Sequence, residues 1–243
     1  MEALDQRVAV ITGAHGGLGR VLVAAFQQAQ TLVVPVDIDG DECFRADVST
    51  PDGNRLMIDE AIRRHGRIDI LVLNAGRQLV APIATYPLAA WDSLMDLMAK
   101  GPFLAIQAAW PHLTRQPGGR IITVGSVLSL TAESYKPAYV AAKHAVLGLT
   151  KVAALEGAPF GLTANTVAPG YMYTGIVERQ IADQMRLRER TRDEVIASMI
   201  GSQPGERFVD PEEVARVILF LASPQSSGIT GACIPVDLGA LAI

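Results

Sequence analysis

Short apolar runs alternating with longer helix-patterned segments constrain this chain more than any other feature. The runs at 8–12, 31–36, 68–73, 120–124, 162–167 and 232–236 are rich in Val and Ile, and the helical patterns between them fall near 18–29, 53–65, 91–114, 137–157 and 210–222. Runs this short and rich in Val and Ile read as buried strands rather than helices. A β/α alternation of that kind predicts one doubly wound parallel sheet with helices on both faces. Asp210-Pro211-Glu212-Glu213 supplies a cap, an N1 proline and early acidic residues for the last helix. With no internal repeat or linker, residues 1–243 read as a single domain.

Two irregularities interrupt the rhythm. A third strand around 43–46 leaves too few residues between Asp37 and Asp47 for a crossover helix, which usually needs at least about 10–12. One covering helix is therefore expected to be missing. The segment 171–208, with short charged helical patterns at 175–190 and 191–200, reads as a lid inserted over a site.

Composition narrows the classes further. Charged residues make up 19%, against roughly 25% in globular chains, which predicts surface covered by subunit contacts. A net charge of −4 argues against a nucleic-acid binder. The longest uncharged stretch, 157–177, contains Pro159, Asn165 and Pro169 and cannot cross a bilayer as a helix. Glu2 and Asp5 precede only a short apolar run, so no signal peptide is read and a soluble, cytoplasmic protein is expected. Cys43 and Cys233 are expected to be buried thiols, and His15, His65, His112 and His144 lack ligand spacing, so no metal is expected.

The first strand runs into Thr12-Gly13-Ala14-His15-Gly16-Gly17-Leu18-Gly19, where a helix begins. Glycines let the backbone turn sharply and approach a diphosphate closely, with free N–H groups aimed at the anion. A ligand-free strand-to-helix turn is the plain alternative. Asp37 ends the next strand, where a carboxylate accepts hydrogen bonds from an adenosine ribose. It would repel the extra phosphate of NADP, and Asp39 adds to that repulsion, so NAD is expected. Arg20 is expected to point along its helix, away from the cofactor.

These residues, with Asn74-Ala75-Gly76, Ser126, Tyr139-x-x-x-Lys143 and Pro169-Gly170, resemble the short-chain dehydrogenase/reductase family along essentially the whole chain. The resemblance implies a seven-stranded Rossmann sheet and a homotetramer. It places cofactor contacts at Gly13, His15, Gly16, Gly17, Leu18, Gly19, Asp37, Ile38, Asp47, Val48, Asn74, Ala75, Gly76, Tyr139, Lys143, Pro169, Gly170, Tyr171, Met172 and Thr174. The chemistry also follows from the residues. Tyr139 and Lys143 lie one helical turn apart on one face, where the ammonium, with a positive nicotinamide, should lower the phenol's pKa. Tyr139 can then exchange a proton with a substrate hydroxyl that Ser126 orients, while a hydride moves to or from the nicotinamide.

Within the family, Pro137–Ala138–Tyr139 through His144, and the run from Pro169 to Gln184, are most similar to D-3-hydroxybutyrate dehydrogenases. That likeness implies substrate-carboxylate contacts from Gln78, Lys136 and Gln180, beside Ser126 and Tyr139. Lys136 as a solvated loop residue and Gln180 as a solvent-facing one are the alternatives. Three positions depart from the pattern: Met98 stands where the family has an asparagine, Leu128 where a histidine is expected, and Ala240 lies in a tail where an aromatic residue is expected. The last two make the pocket more apolar. Three readings therefore stay open: a hydroxy-acid dehydrogenase, the same chemistry on an uncharged or bulkier hydroxy compound, and an NAD-binding protein without turnover.

Overall fold

A computed structural model describes residues 4–242. Its strands are β1 (Val8–Thr12), β2 (Leu32–Asp37), β3 (Phe44–Arg45), β4 (Ile70–Leu73), β5 (Arg120–Val124), β6 (Thr163–Pro169) and β7 (Cys233–Val236). They form one seven-stranded sheet in the order β3-β2-β1-β4-β5-β6-β7, with every pairing parallel. β1, β4, β5 and β6 are buried at every residue, which is why their sequences show no polar alternation.

The helices are α1 (Gly17–Gln28), α2 (Pro51–His65), α3 (Leu88–Met95), α4 (Gly101–Leu113), α5 (Pro137–Gly157), α6 (Gly175–Arg188), α7 (Arg192–Gly201) and α8 (Pro211–Ala222). Met57 and Ala61 of α2, Ile106 of α4 and Ala153 of α5 pack on one face of the sheet. Leu22 and Phe26 of α1 and Ile218 and Leu221 of α8 pack on the other. Local chemistry sets the ends of these helices. Thr50 Oγ1 caps α2 by accepting from Gly53 N at 3.0 Å, and Gly66, at φ +72°, ends it in the left-handed region. Asp210 caps α8, with Glu213 reaching back to the Asp210 amide at 3.0 Å.

The chain passes from β2 to β3 without a helix, as its spacing requires. The pattern at 91–114 does not form one straight helix. Between α3 and α4 the residues Asp96–Lys100 widen into a π turn, and Gly101 N bonds to Asp96 O five residues back. Pro102 supplies the cause, because it has no N–H for the carbonyl of Met98 and its ring crowds that carbonyl. The insertion between β6 and α8 consists of α6 and α7, which pack on each other through Val177, Ile181, Val195 and Met199. Cys43 and Cys233 are only half-buried, contrary to expectation. They lie at the two edges of the sheet, beside β3 and in β7, where no further strand covers them. Among the described residues no helix is long and apolar enough to cross a membrane.

The glycine loop is held where a side chain cannot fit. A Cβ on Gly19 would lie 2.0 Å from Gly13 O. Gly19→Ala is expected to lose about 1–3 kcal/mol through overpacking, read as a lowered Tm. An unchanged Tm would contradict this close approach of helix to strand.

Candidate active site

The carboxyl ends of β1, β2, β4, β5 and β6 open into one cleft of about 570 Å³. The loop after β1 is anchored from β4. Thr12 Oγ1 accepts from Asn74 N at 3.1 Å and Ala75 N at 3.2 Å, and Asn74 Nδ2 donates to the carbonyls of Thr12 (3.1 Å) and Gly13 (3.0 Å). Gly13 has φ +66°, and a Cβ there would lie 2.7 Å from Ala75 Cα. Only glycine turns the chain here. The opening of α1 at Gly17 then presents helix N-terminal amides to the cleft.

Asp37 ends β2 in the same cleft. Its carboxylate accepts from His15 N at 2.9 Å and from Ile38 N at 2.7 Å, which fixes its direction. Its remaining acceptor capacity suits ribose hydroxyls. Gly13, His15, Gly16, Gly17, Leu18, Gly19, Asn74, Gly76, Pro169, Gly170, Met172 and Thr174 line the cleft with Asp37. Ile38, Asp47, Val48 and Ala75 line an adjoining recess of about 270 Å³ that Asp37 and Gly13 share. Left-handed glycine, helix amides and a directed carboxylate together fit a dinucleotide.

Two residues depart from their expected places. Arg20 turns back, with Nη2 2.9 Å from His15 Nε2, and lines the cleft. Tyr171 is expected at the cofactor, but its hydroxyl turns to Glu133, donating to Oε2 at 2.6 Å, and the residue lines a separate pocket beyond Ser126. Its own burial and Glu133 hold that phenol well above its ordinary pKa.

At the inner end of the cleft, α5 brings Tyr139 and Lys143 beside Ser126, which follows β5. Ser126 and Tyr139 line the same end of the cleft, near enough for the Ser126 hydroxyl to counter part of the rise in the phenol's pKa. Ser126 Oγ accepts from Leu128 N at 3.1 Å, which leaves the hydroxyl proton as its donor. Lys143 Nζ donates to Val124 O at 2.7 Å and stands 5.5 Å from the centre of the Tyr139 ring. Burial pushes the ammonium down to about 8. It pushes Tyr139 up to about 12, with the Ser126 hydroxyl opposing the rise and Glu133 adding to it. The lowering expected of this phenol includes the charge of a bound nicotinamide; in the protein alone desolvation dominates.

Beyond Ser126 lies a smaller pocket of about 100 Å³ that contains Gln78, Leu128, Lys136 and Gln180. Lys136 and Gln180 are buried rather than solvated. Met98 is also buried and packs with Ala138, Ala142 and Tyr139 of α5. Sequence reading overlooked Glu133, which is bound to Lys136 Nζ at 2.7 Å. The one signal available was an acidic residue three positions before the lysine.

Several comparisons agree with this geometry. A family model described as enoyl-(acyl carrier protein) reductase matches residues 13–240. A D-beta-hydroxybutyrate dehydrogenase from Rhizobium meliloti (strain 1021) is 35% identical over 96% of this chain and 98% of its own. The Thermoplasma acidophilum aldohexose dehydrogenase structure superimposes with a TM-score of 0.91 at 30% identity, covering 100% of this chain and 96% of that one. An NAD+-bound xylitol dehydrogenase structure gives 0.93 at 27% identity, covering 97% and 99%. The chain belongs to the short-chain dehydrogenase/reductase family, as an NAD(P)-dependent oxidoreductase acting on CH–OH and C=O groups.

Proposed function

We propose that this protein is an NAD-dependent oxidoreductase that interconverts a secondary alcohol and a ketone. The observation that carries the reading is that Ser126 and Tyr139 line one end of the glycine-loop cleft beside the buried Lys143 ammonium. NAD, when bound, accepts the hydride, so that R₂CHOH + NAD⁺ gives R₂C=O + NADH + H⁺. Ser126, its lone pair engaged by Leu128 N, donates to the substrate oxygen and holds it beside Tyr139. Tyr139 takes the hydroxyl proton during oxidation and returns it during reduction. Lys143, tied to Val124 O, keeps a positive charge next to the phenol. Asp37 would hold the adenosine ribose, and its negative charge favours NAD over NADP even with Arg20 nearby.

The pair α6 and α7 acts as a lid that keeps water from the reacting atoms. Met98, a thioether, cannot hold a relay water as an amide does, which slows proton exchange between Lys143 and solvent. The substrate class has two supports that differ. The hydroxybutyrate dehydrogenase relative favours a hydroxy acid, held by Gln78, Lys136 and Gln180. The aldohexose and xylitol dehydrogenase structures favour an uncharged polyhydroxy compound.

In an absorbance assay of secondary alcohols, turnover should be faster with NAD than with NADP, and Asp37→Ser should narrow that difference. Tyr139→Phe should cost about 10²–10⁴-fold. Because the phenol must give up its proton for oxidation and keep it for reduction, oxidation should rise with pH on the alkaline side while ketone reduction falls. Equal inertness of wild type and Tyr139→Phe across the panel would remove the oxidoreductase reading.

Phe103 of α4 and Val152 and Leu155 of α5 are exposed apolar residues on neighbouring helices. We propose that this face meets further copies of the chain in a homotetramer. Sedimentation should give a mass several times that of one chain, and a monomer alone would contradict the proposal.

A further inference from the structure

The substrate end of the cleft contains a cation that already has its counter-ion. Lys136 is 1% exposed, and its Nζ donates to Glu133 Oε2 at 2.7 Å and to the Tyr171 hydroxyl at 3.1 Å. Tyr171 donates its own proton to the same Glu133 oxygen, and Gln184 Nε2 donates to the other at 3.4 Å. Gln180 Nε2, expected to reach a substrate, donates to the Tyr171 oxygen at 3.3 Å. Glu133 is therefore the centre of a built network that engages much of the expected carboxylate-binding set.

Backbone geometry supports the same arrangement. Tyr135, between Glu133 and Lys136, sits at φ +69°, a left-handed conformation costly for an aromatic residue. Its carbonyl is held by Ala81 N at 2.9 Å. Among the described residues lining the pocket, Glu133 and Lys136 are the charged ones, and their formal charges cancel. Arg188, stacked 5.5 Å over the Tyr135 ring, is not part of that lining. Gln78 lines the pocket too, and its Nε2 is buried without a partner.

We propose that Glu133 sets the substrate class: it occupies the position on Lys136 that a substrate carboxylate would take, so the pocket accepts small neutral hydroxy compounds with a second hydroxyl or carbonyl oxygen and rejects hydroxy acids. The proposal rests on the oxidoreductase reading for the placement of substrate at this pocket. A second carboxylate would bring like charge against Glu133 in a pocket whose lining holds one cation. A neutral oxygen instead accepts from Gln78 Nε2, or from the third ammonium proton of Lys136, without adding charge. Specificity then comes from a repulsive group built into the chain rather than from a stronger attraction.

Calorimetric titration of the NADH-saturated protein with butyrate and butyramide, ligands of nearly equal size, tests this directly. Wild type should bind butyramide about tenfold or more tightly than butyrate, and Glu133→Gln should tighten butyrate about tenfold or more, because it leaves Lys136 in want of an anion. Adding Lys136→Gln to that variant should abolish the gain. Wild type that binds butyrate as tightly as butyramide overturns the proposal, even if Glu133→Gln fails to fold. So does a folded Glu133→Gln without the gain, or a gain that survives loss of Lys136. These ratios need no turnover. A protein that shows them and oxidises no secondary alcohol overturns the oxidoreductase reading alone.

Discussion

A buried ammonium with a single backbone acceptor organises this molecule. Lys143 Nζ reaches the carbonyl of Val124 at the end of β5, and that contact fixes how α5 lies across the carboxyl ends of the strands. Desolvation makes the charge expensive, so the contact tolerates little displacement. Tyr139, one turn earlier on the same helix, is thereby set against Ser126, and Met98 packs behind both helix and phenol. The parallel sheet makes the arrangement possible because each of its central strands ends at the same edge. β1 delivers the glycine loop, β2 delivers Asp37, β4 leads into Asn74 and β5 into Ser126.

The electrostatics of the cleft change along its length. At the ribose end, Asp37 is directed by two backbone amides, and Arg20 and His15 face it across the opening. In the middle, burial raises a phenol and lowers an ammonium, so both are protonated near neutral pH in the protein alone. In the proposed reaction that phenol would give a proton to a ketone, and the charge of an oxidised nicotinamide would have to join that of Lys143 before it took one from an alcohol. At the far end, the lysine is neutralised from within by Glu133. The three regions correspond to binding, proton exchange and selection.

Much of this was legible in the sequence for a physical reason. Strands buried on both faces favour Val and Ile, and a backbone that turns beneath an anion favours glycine, so the strands and the loop both leave marks in the residue types. The missing helix before β3 was legible from length alone. The bend at Pro102 was not, because the apolar pattern continues across it and only the lost N–H breaks the ladder. Arg20 was misplaced because helix position does not fix where a long side chain turns. Glu133 was missed because the resemblance directed attention to Lys136 and said nothing of what pairs with it. Spacing reveals the neighbours of Tyr139 but not the depth of its burial, which dominates its pKa in the protein alone.

Transfer of isotope from substrate carbon to cofactor tests the central claim most directly. When NAD is incubated with the protein and a neutral secondary alcohol deuterated at the carbinol carbon, mass spectrometry should find the deuterium on the reduced nicotinamide. The label should be almost absent with Tyr139→Phe over the same time. A wild-type protein that binds NAD but moves no deuterium from any alcohol in a broad panel would contradict the account.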